Sequence, residues 1–399
     1  MAGGPPLRAG RHHFHLWTTG LWTTGLWTTS LRTTGLWTTS PSPADHGTLI
    51  GMRPLLIPAL PRLWRDATTL QLGVDPERAV VLTAVDPALA TFLTSLDGRR
   101  PLDRVVADAP AGLPAQELIT RLLAHGAIVD ATPLAPTATT PHADADLPPL
   151  PPELASALLT HGPDAVHRVT ARRRAHVLVR CRGRVGPVIA ALLAAGGVGR
   201  VTVTGSGVVA PDDVTVGGLT PDDIGRPYVL AAIDAVRRAS PTVDTRNPTT
   251  GAAPDFVVLA AGPLPLPADQ VRWTSSGVPH LPVLLRDGVA IVGPLVVPGR
   301  TACLSCVEAH RLDRDPVWPV LAAQLATEQR PELADASVVS LAAALASAEA
   351  TGHLEGVPTA ALGVSLEAGP PGVPLRQRSW SPHPRCGCLT GGSGRSARQ

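Results

Sequence analysis

The chain has 399 residues, of which 44% are hydrophobic and 17% charged, enough to bury the cores of two or three domains. Its 34 basic and 32 acidic residues leave a net charge of +2, which argues against a nucleic-acid or membrane-surface protein. All basic residues are arginines, no apolar run reaches the roughly 20 residues of a membrane span, and five cysteines are too few for a disulfide scaffold. We therefore exclude lysine chemistry and expect a cytoplasmic protein.

The first feature along the chain is a pentapeptide repeat, LWTTG-LWTTG-LWTTS-LRTTG-LWTTS, over residues 16–40. A period of five matches neither a helix face nor a solenoid unit, so low-complexity sequence is favoured over a β-rich tail. Domain-like sequence begins at Met52, which is the only methionine besides Met1. We expect residues 1–51 to be a disordered low-complexity extension and Met52 to be the natural start.

Residues 52–130 are predicted to form a winged-helix-like α+β module, with Trp64 as a packing anchor rather than a stacking platform. Its predicted strands cover residues 55–60, 69–74, 79–83 and 127–130, and its predicted helices cover about 87–96, 102–107 and 114–125. A Pro- and Ala-rich linker follows over residues 131–152.

Residues 153–389 are predicted to form a parallel α/β domain. Strand patterns alternate with helical ones, a spacing typical of βαβ units: strands cover residues 176–179, 201–203 and 255–260, and helices cover 187–195 and 227–238. The Gly- and Ser-rich residues 390–399 are expected to be a disordered tail.

Two close cysteine pairs are the strongest chemical signal: Cys303 with Cys306, and Cys386 with Cys388, with 79 residues between the pairs. Four thiolates can surround one Zn²⁺ at about 2.3 Å. The alternatives are unliganded thiols or a redox CxxC, but a redox motif belongs at a strand–helix junction. Four cysteine ligands leave no open position for a substrate, so we predict a structural zinc site.

The turn after the first strand of this domain has part of a nucleotide-binding pattern. Glycines in such a turn let backbone N–H groups approach phosphate at a helix N-terminus. Only Gly183 and Gly186 are present, and Cys181 stands at the first glycine position. Close packing of helix on strand is therefore the favoured explanation for these glycines.

Residues 170–388 resemble the ThiF/ubiquitin-activating superfamily, whose fold is a Rossmann-like sheet with a tetracysteine zinc site. The two cysteine pairs are the specific part of this resemblance. The pairs lie in the matching stretches 301–306 and 383–388, and weaker, fold-level matches lie at residues 177–199, 201–209, 223–227 and 255–260. The resemblance implies a ThiF-type domain, and relatives of this kind are commonly homodimers.

The same resemblance implies that ATP chemistry is lost. Where adenylating members carry ribose, phosphate and magnesium contacts, this chain has Gly205, Gly207, Asp213, Val216, Tyr228 and Gly262. Adenylyl transfer needs positioned cations to offset developing negative charge. Arg226 could still attract an anion, so the vestigial turn is assigned to Gly183, Gly186 and Arg226, and ATP binding is not expected.

The domain order resembles the leader-peptide-binding partner protein of cyclodehydratases that make thiazole/oxazole-modified peptides. The resemblance implies a non-catalytic scaffold whose winged-helix module binds the leader of a ribosomal precursor peptide. A separate YcaO-type enzyme would use ATP and form the azolines. Residues 303–318 also fit this branch. The alternative is an active ThiF-type ATP-dependent adenylyltransferase.

Edges of small sheets bind extended peptides by strand addition. The predicted peptide contacts are Ala79, Val81 and Thr83 on the edge strand, with Leu118 and Leu122 on the third helix. A winged-helix DNA reader is the competing interpretation. Residues 52–130 carry 8 Arg against 9 Asp plus Glu, and DNA affinity depends largely on phosphate contacts, so DNA binding is disfavoured.

Overall fold

The computed structural model describes residues 16–17, 51–76, 78–132, 152–248, 251–260, 262, 264–327, 334–369 and 374–388. Most of the predicted extension and linker, and the whole predicted tail, lie outside these residues. The chain divides into two compact units, residues 1–167 and 168–399. Within the described ranges, every helix is too short or too polar to cross a bilayer.

The first unit combines short strands with helices. Its strands are β1 (Leu16–Trp17), β2 (Pro54–Leu56), β3 (Arg62–Asp66), β4 (Thr69–Leu72), β5 (Val80–Leu82) and β6 (Ile128–Asp130). Its helices are α1 (Pro87–Thr94), α2 (Leu102–Ala107), α3 (Ala115–Ala124) and α4 (Pro152–His161). One antiparallel sheet has the order β1-β5-β4-β3, and β2 pairs with β6.

The core of this unit follows the predicted pattern of strands and helices. Helix α1 begins where the Asp86 side chain accepts a hydrogen bond from the Leu89 N–H at 2.7 Å, an N-cap that satisfies a backbone donor. The predicted hairpin of β4 and β5 and the three predicted helices are present, with ends shifted by one or two residues. Leu118, Ile119 and Leu122 form the buried face of α3.

Strand β3 was not predicted, and the packing prediction for Trp64 is wrong. All five residues of β3 are exposed, so the alternation of buried and exposed residues that marks a strand is absent. Trp64 is 53% exposed and lines an open cavity of about 480 Å³ together with Val85 and Pro87.

The second unit is built on a seven-stranded mixed sheet. Its strands are β7 (His176–Cys181), β8 (Arg200–Thr204), β9 (Phe256–Ala260), β10 (His280–Arg286), β11 (Val289–Val292), β12 (Val364–Ala368) and β13 (Arg376–Ser379). The sheet order is β13-β12-β11-β10-β9-β7-β8. Strands β8, β7, β9 and β10 are parallel, and β10 to β13 pair antiparallel.

Helices cover both faces of this sheet. Those in its cores are α6 (Val185–Ala195), α7 (Tyr228–Ala239), α8 (Pro267–Ser275), α9 (Leu304–Arg314) and α11 (Ala336–Leu354). Helix α5 (Ala165–Arg174) precedes β7 in the chain, and α10 (Trp318–Thr327) packs on α9. Strand β9 is buried along its whole length, as expected where both faces are covered. Phe256, Val258 and Ala260 share a core with α6, α7 and α11, whereas Val257 and Leu259 pack with Cys303 and Cys306.

The sheet therefore carries two distinct features. The four cysteines belong to the core that includes Val257 and Leu259. The turn from β7 to α6 lies at the carboxyl ends of the parallel strands, where open α/β sheets bind ligands. The predicted α/β architecture is confirmed, while the antiparallel extension β11 to β13 was not predicted.

Candidate metal centre and phosphate-binding turn

The two cysteine pairs come together in one cluster. The Sγ atoms of Cys303 and Cys386 are 3.6 Å apart, those of Cys306 and Cys388 are 3.5 Å apart, and those of Cys303 and Cys306 are 3.8 Å apart. All four sulfur atoms lie within 4.8 Å of one another. A tetrahedron with zinc–sulfur bonds of about 2.3 Å has edges of about 3.8 Å, so the cluster can hold one tetrahedral metal ion.

The first pair is positioned by the start of a helix. Cys303 is the N-cap residue of α9, and the Cys306 N–H donates to the Cys303 carbonyl at 3.0 Å. One helical turn therefore places both thiols on the same side. Cys303 and Cys306 are buried, whereas Cys386 and Cys388, which follow β13 in the chain, are half-buried. The second pair thus closes the site from the solvent side.

Asp313, near the end of α9, holds the segment that carries the second pair. His383 Nε2 lies 2.8 Å from Asp313 Oδ2, and Arg385 forms an ion pair with the same carboxylate. The Arg385 N–H donates to His383 Nδ1 at 3.1 Å, and the Cys386 N–H donates to the His383 carbonyl at 2.9 Å. Sequence reasoning missed this contact because 70 residues separate Asp313 from His383.

The electrostatics of the cluster are compatible with a bound cation. Burial raises the pKa of Cys303 and of Cys388, because a thiolate in this position loses its hydration. Four thiolates this close would also repel one another. A divalent metal ion would offset their charge and displace their protons.

Loss of the Asp313 contacts is expected to weaken the metal site without removing a ligand. Partners behind the ligands orient them, and removing such a partner typically lowers metal affinity by about 10- to 100-fold. We expect Asp313→Ala to lower zinc affinity within that range, measured by competition with a chromogenic chelator. Asp212→Ala, at another exposed aspartate, is the control, and equal affinities for the two variants would contradict this role.

The glycine pair of the turn contributes to tight packing of α6 on β7. Gly183 has φ +66°, a conformation that favours glycine. A Cβ atom on Gly186 would lie 2.8 Å from the Cys181 sulfur and 3.0 Å from the Cys181 Cα. Gly186 thus allows the helix to approach a side chain that stands at the first glycine position of the pattern.

Tyr228 packs into the same crevice from α7. Its hydroxyl donates a hydrogen bond to the Gly183 carbonyl, and its side chain is buried. A Cβ atom on Gly205 would lie 2.7 Å from the Cys181 carbonyl oxygen and 3.3 Å from the Tyr228 ring. The Tyr228 ring therefore lies against Gly205 at the end of β8, and its hydroxyl takes up the Gly183 carbonyl as a hydrogen-bond acceptor.

The charge of Arg226 is already paired. Its guanidinium contacts Asp234 at 2.6 Å and Asp223 at 2.5 Å, and hydrogen bonds to Asp234 and Asp223 raise its pKa. Asp223 is itself fixed by the Thr220 N–H and hydroxyl, each at 2.9 Å. Two carboxylates thus compete with any anion for Arg226, and Arg226 is tied into the fold.

The residues predicted to contact a peptide are divided between an edge and a core. Val81 lies on β5, flanked by Ala79 and Thr83 just outside the strand. One side of β5 pairs with β4 and the other with the two-residue β1. Leu118 and Leu122 are 3% and 0% exposed, so their side chains serve the core of the unit and are not accessible to a peptide in this conformation.

Comparisons with known proteins identify the fold. No family model and no curated protein matches the sequence. E. coli MccB with ATP is 14% identical, covering 84% of this chain and 99% of its own, with a TM-score of 0.56. The microcin C7 biosynthetic enzyme MccB in complex with N-formylated MccA has the same identity and coverages and a TM-score of 0.57. PaaA is 14% identical, covering 81% and 99%, with a TM-score of 0.55. Together with the mixed sheet and the four-cysteine cluster, these likenesses show that the chain has a ThiF-like fold.

Proposed function

We propose that the protein is a non-catalytic scaffold that binds the leader of a ribosomal precursor peptide. It presents the peptide to a YcaO-type, ATP-dependent cyclodehydratase in the biosynthesis of azoline-containing peptides. The observation that carries the proposal is the filled turn between β7 and α6, where Cys181 and Tyr228 pack against the groups that would face a nucleotide.

The charges near the turn between β7 and α6 also argue against ATP binding by this chain. A triphosphate needs cations placed to offset its charge. The chain contains no lysine, and Arg226 is shared between two carboxylates. Gly262 stands where adenylating relatives are expected to carry a metal-binding aspartate. In this proposal, ATP is bound by the partner enzyme rather than by this chain.

The peptide is proposed to add to the edge of β5. Strand addition supplies main-chain hydrogen bonds whatever the sequence of the peptide, and nearby pockets supply specificity. The pairing of β1 with β5 supports this assignment, because it is an extended segment added to that edge. The net-acidic composition of residues 52–130 suits a protein or peptide ligand better than DNA.

The four-cysteine cluster is proposed to hold a structural Zn²⁺. Sulfur-only tetrahedral sites select zinc or iron–sulfur centres, and the single cluster of four closely spaced thiols has the dimensions of a mononuclear site. With all four positions taken by cysteine, the ion would brace the start of α9 against residues 386–388. We further propose a cytoplasmic homodimer, in which reduced thiols remain available to the metal.

The peptide partner is supported by a neighbour in fold. MccB, a microcin C7 biosynthetic enzyme, was captured in complex with N-formylated MccA. The test is binding of a labelled precursor peptide encoded near this gene, measured by fluorescence anisotropy. We expect micromolar or tighter binding that depends on the leader and not on the core of the precursor. Absence of binding to any such peptide at a protein concentration about 100-fold above the expected dissociation constant would contradict the proposal.

A second candidate function is an active ATP-dependent adenylyltransferase, because MccB of the same fold was captured with ATP. The isolated protein would then exchange labelled pyrophosphate into ATP when given its acceptor. The scaffold proposal predicts no exchange above a no-enzyme control. Exchange of the unmodified protein clearly above that control would decide for the adenylyltransferase.

A further inference from the structure

The N-terminal repeat provides a strand for the first unit. Leu16 and Trp17 form β1, the first dipeptide of the pentapeptide repeat. They pair antiparallel with β5, with Leu16 opposite Leu82 and Trp17 opposite Val81. The sequence favoured a low-complexity extension here over a β-rich tail, and the structure describes a short strand at these two residues.

The position of β1 matters because of the order of the sheet. In the order β1-β5-β4-β3, β5 would be an outer strand if β1 were removed. Its backbone N–H and C=O groups on that side can bond to only one added strand at a time. A peptide that extends the sheet at β5 must therefore displace Leu16 and Trp17.

We propose that the Leu16–Trp17 segment is an intramolecular competitor that covers the peptide-binding edge until a peptide ligand displaces it. The inference rests on the proposed peptide-binding role of β5. Because residues 18–53 connect β1 to β2 covalently, the segment is present at an effective concentration of order millimolar. A two-residue strand makes few hydrogen bonds, so a peptide ligand can displace Leu16 and Trp17 even at this effective concentration.

The expected change in peptide affinity follows from the fraction of molecules in which β1 is not paired with β5. If β1 covers between half and nine-tenths of the molecules, the apparent affinity for an added strand falls by about two- to tenfold. The same fraction limits hydrogen exchange of the β5 amides that bond to β1.

The experiment compares two full-length variants with the unmodified chain. Leu16→Pro combined with Trp17→Pro breaks the pairing whichever residue faces β5, since consecutive N–H groups in a strand point to opposite sides and proline has none. Thr28→Pro combined with Thr29→Pro places two prolines in a later repeat and serves as the matched control. The probe is a fluorescein-labelled synthetic peptide of residues 11–20, RHHFHLWTTG.

Two measurements separate this inference from the proposed function. Hydrogen exchange at residues 80–82 needs no ligand and is expected to accelerate about two- to tenfold in the Leu16/Trp17 variant only. The probe is expected to bind that variant about two- to tenfold more tightly than the unmodified chain or the control. Unchanged hydrogen exchange would show that Leu16 and Trp17 do not cover β5. Faster exchange without tighter probe binding would show that they do not compete with a peptide for it. Failure of a precursor peptide to bind, with both effects present, would overturn only the leader-binding function.

Discussion

Cys306→Ser is expected to remove the bound metal almost completely, from about one zinc per chain to near zero. Cys306 is fully buried and its sulfur lies within 3.8 Å of the sulfurs of Cys303 and Cys388, so a hydroxyl at this position leaves three buried thiols around an incomplete site. Structural zinc contributes directly to folding free energy. We therefore also expect a lower melting temperature and loss of soluble protein, with metal content measured by plasma emission spectrometry.

Cys181→Ala is the matched control for this experiment. Cys181 is also buried, but it is the last residue of β7 and lies outside the four-cysteine cluster. It should keep about one zinc per chain and tolerate chelator as the unmodified protein does. A Cys306→Ser protein that retains a full equivalent of zinc, or an unmodified protein that is folded without metal, would refute the assignment of these cysteines.

Gly199→Ala is expected to destabilise the second unit by more than about 3 kcal/mol, at the upper end of effects of single substitutions. A Cβ atom on Gly199 would lie 1.8 Å from the Arg173 carbonyl oxygen. Backbone must move to relieve that overlap, yet α5 ends at Arg174 and β8 begins its pairing with β7 at Arg200. Urea denaturation followed by circular dichroism measures the change.

Gly352→Ala provides the comparison, since this glycine lies inside α11 and its added methyl would meet only the Thr359 methyl group, at 3.0 Å. That side chain can shift, and alanine is favoured over glycine within a helix by about 1 kcal/mol. The variant should be neutral or slightly stabilised. Equal losses of stability in both variants would show that the close approach at Gly199 is not the cause.

Local sequence patterns predicted an element correctly where the spacing of its apolar residues matches the residues that are buried in the structure. The apolar run of residues 176–179 and the amphipathic pattern of α3 predicted β7 and α3. Two close cysteine pairs predicted a four-ligand site, because each pair needs only a short turn to offer both sulfurs. Strand β3 was not predicted, because all of its residues are exposed and the sequence therefore shows no apolar alternation there. Leu118 and Leu122 were assigned to a peptide surface because an apolar helix face looks the same in sequence whether it packs on its own core or on a ligand.

The chain by itself determined the α/β character of the second unit and the identity of the four thiols, because each depends on residue type and local spacing. Only the tertiary structure placed Tyr228 against Gly183 and added Leu16 and Trp17 to the edge of β5. These contacts join segments whose positions are set by the packing of whole helices and strands. No spacing rule along the chain encodes them, which is why they emerge only when the sheet is assembled.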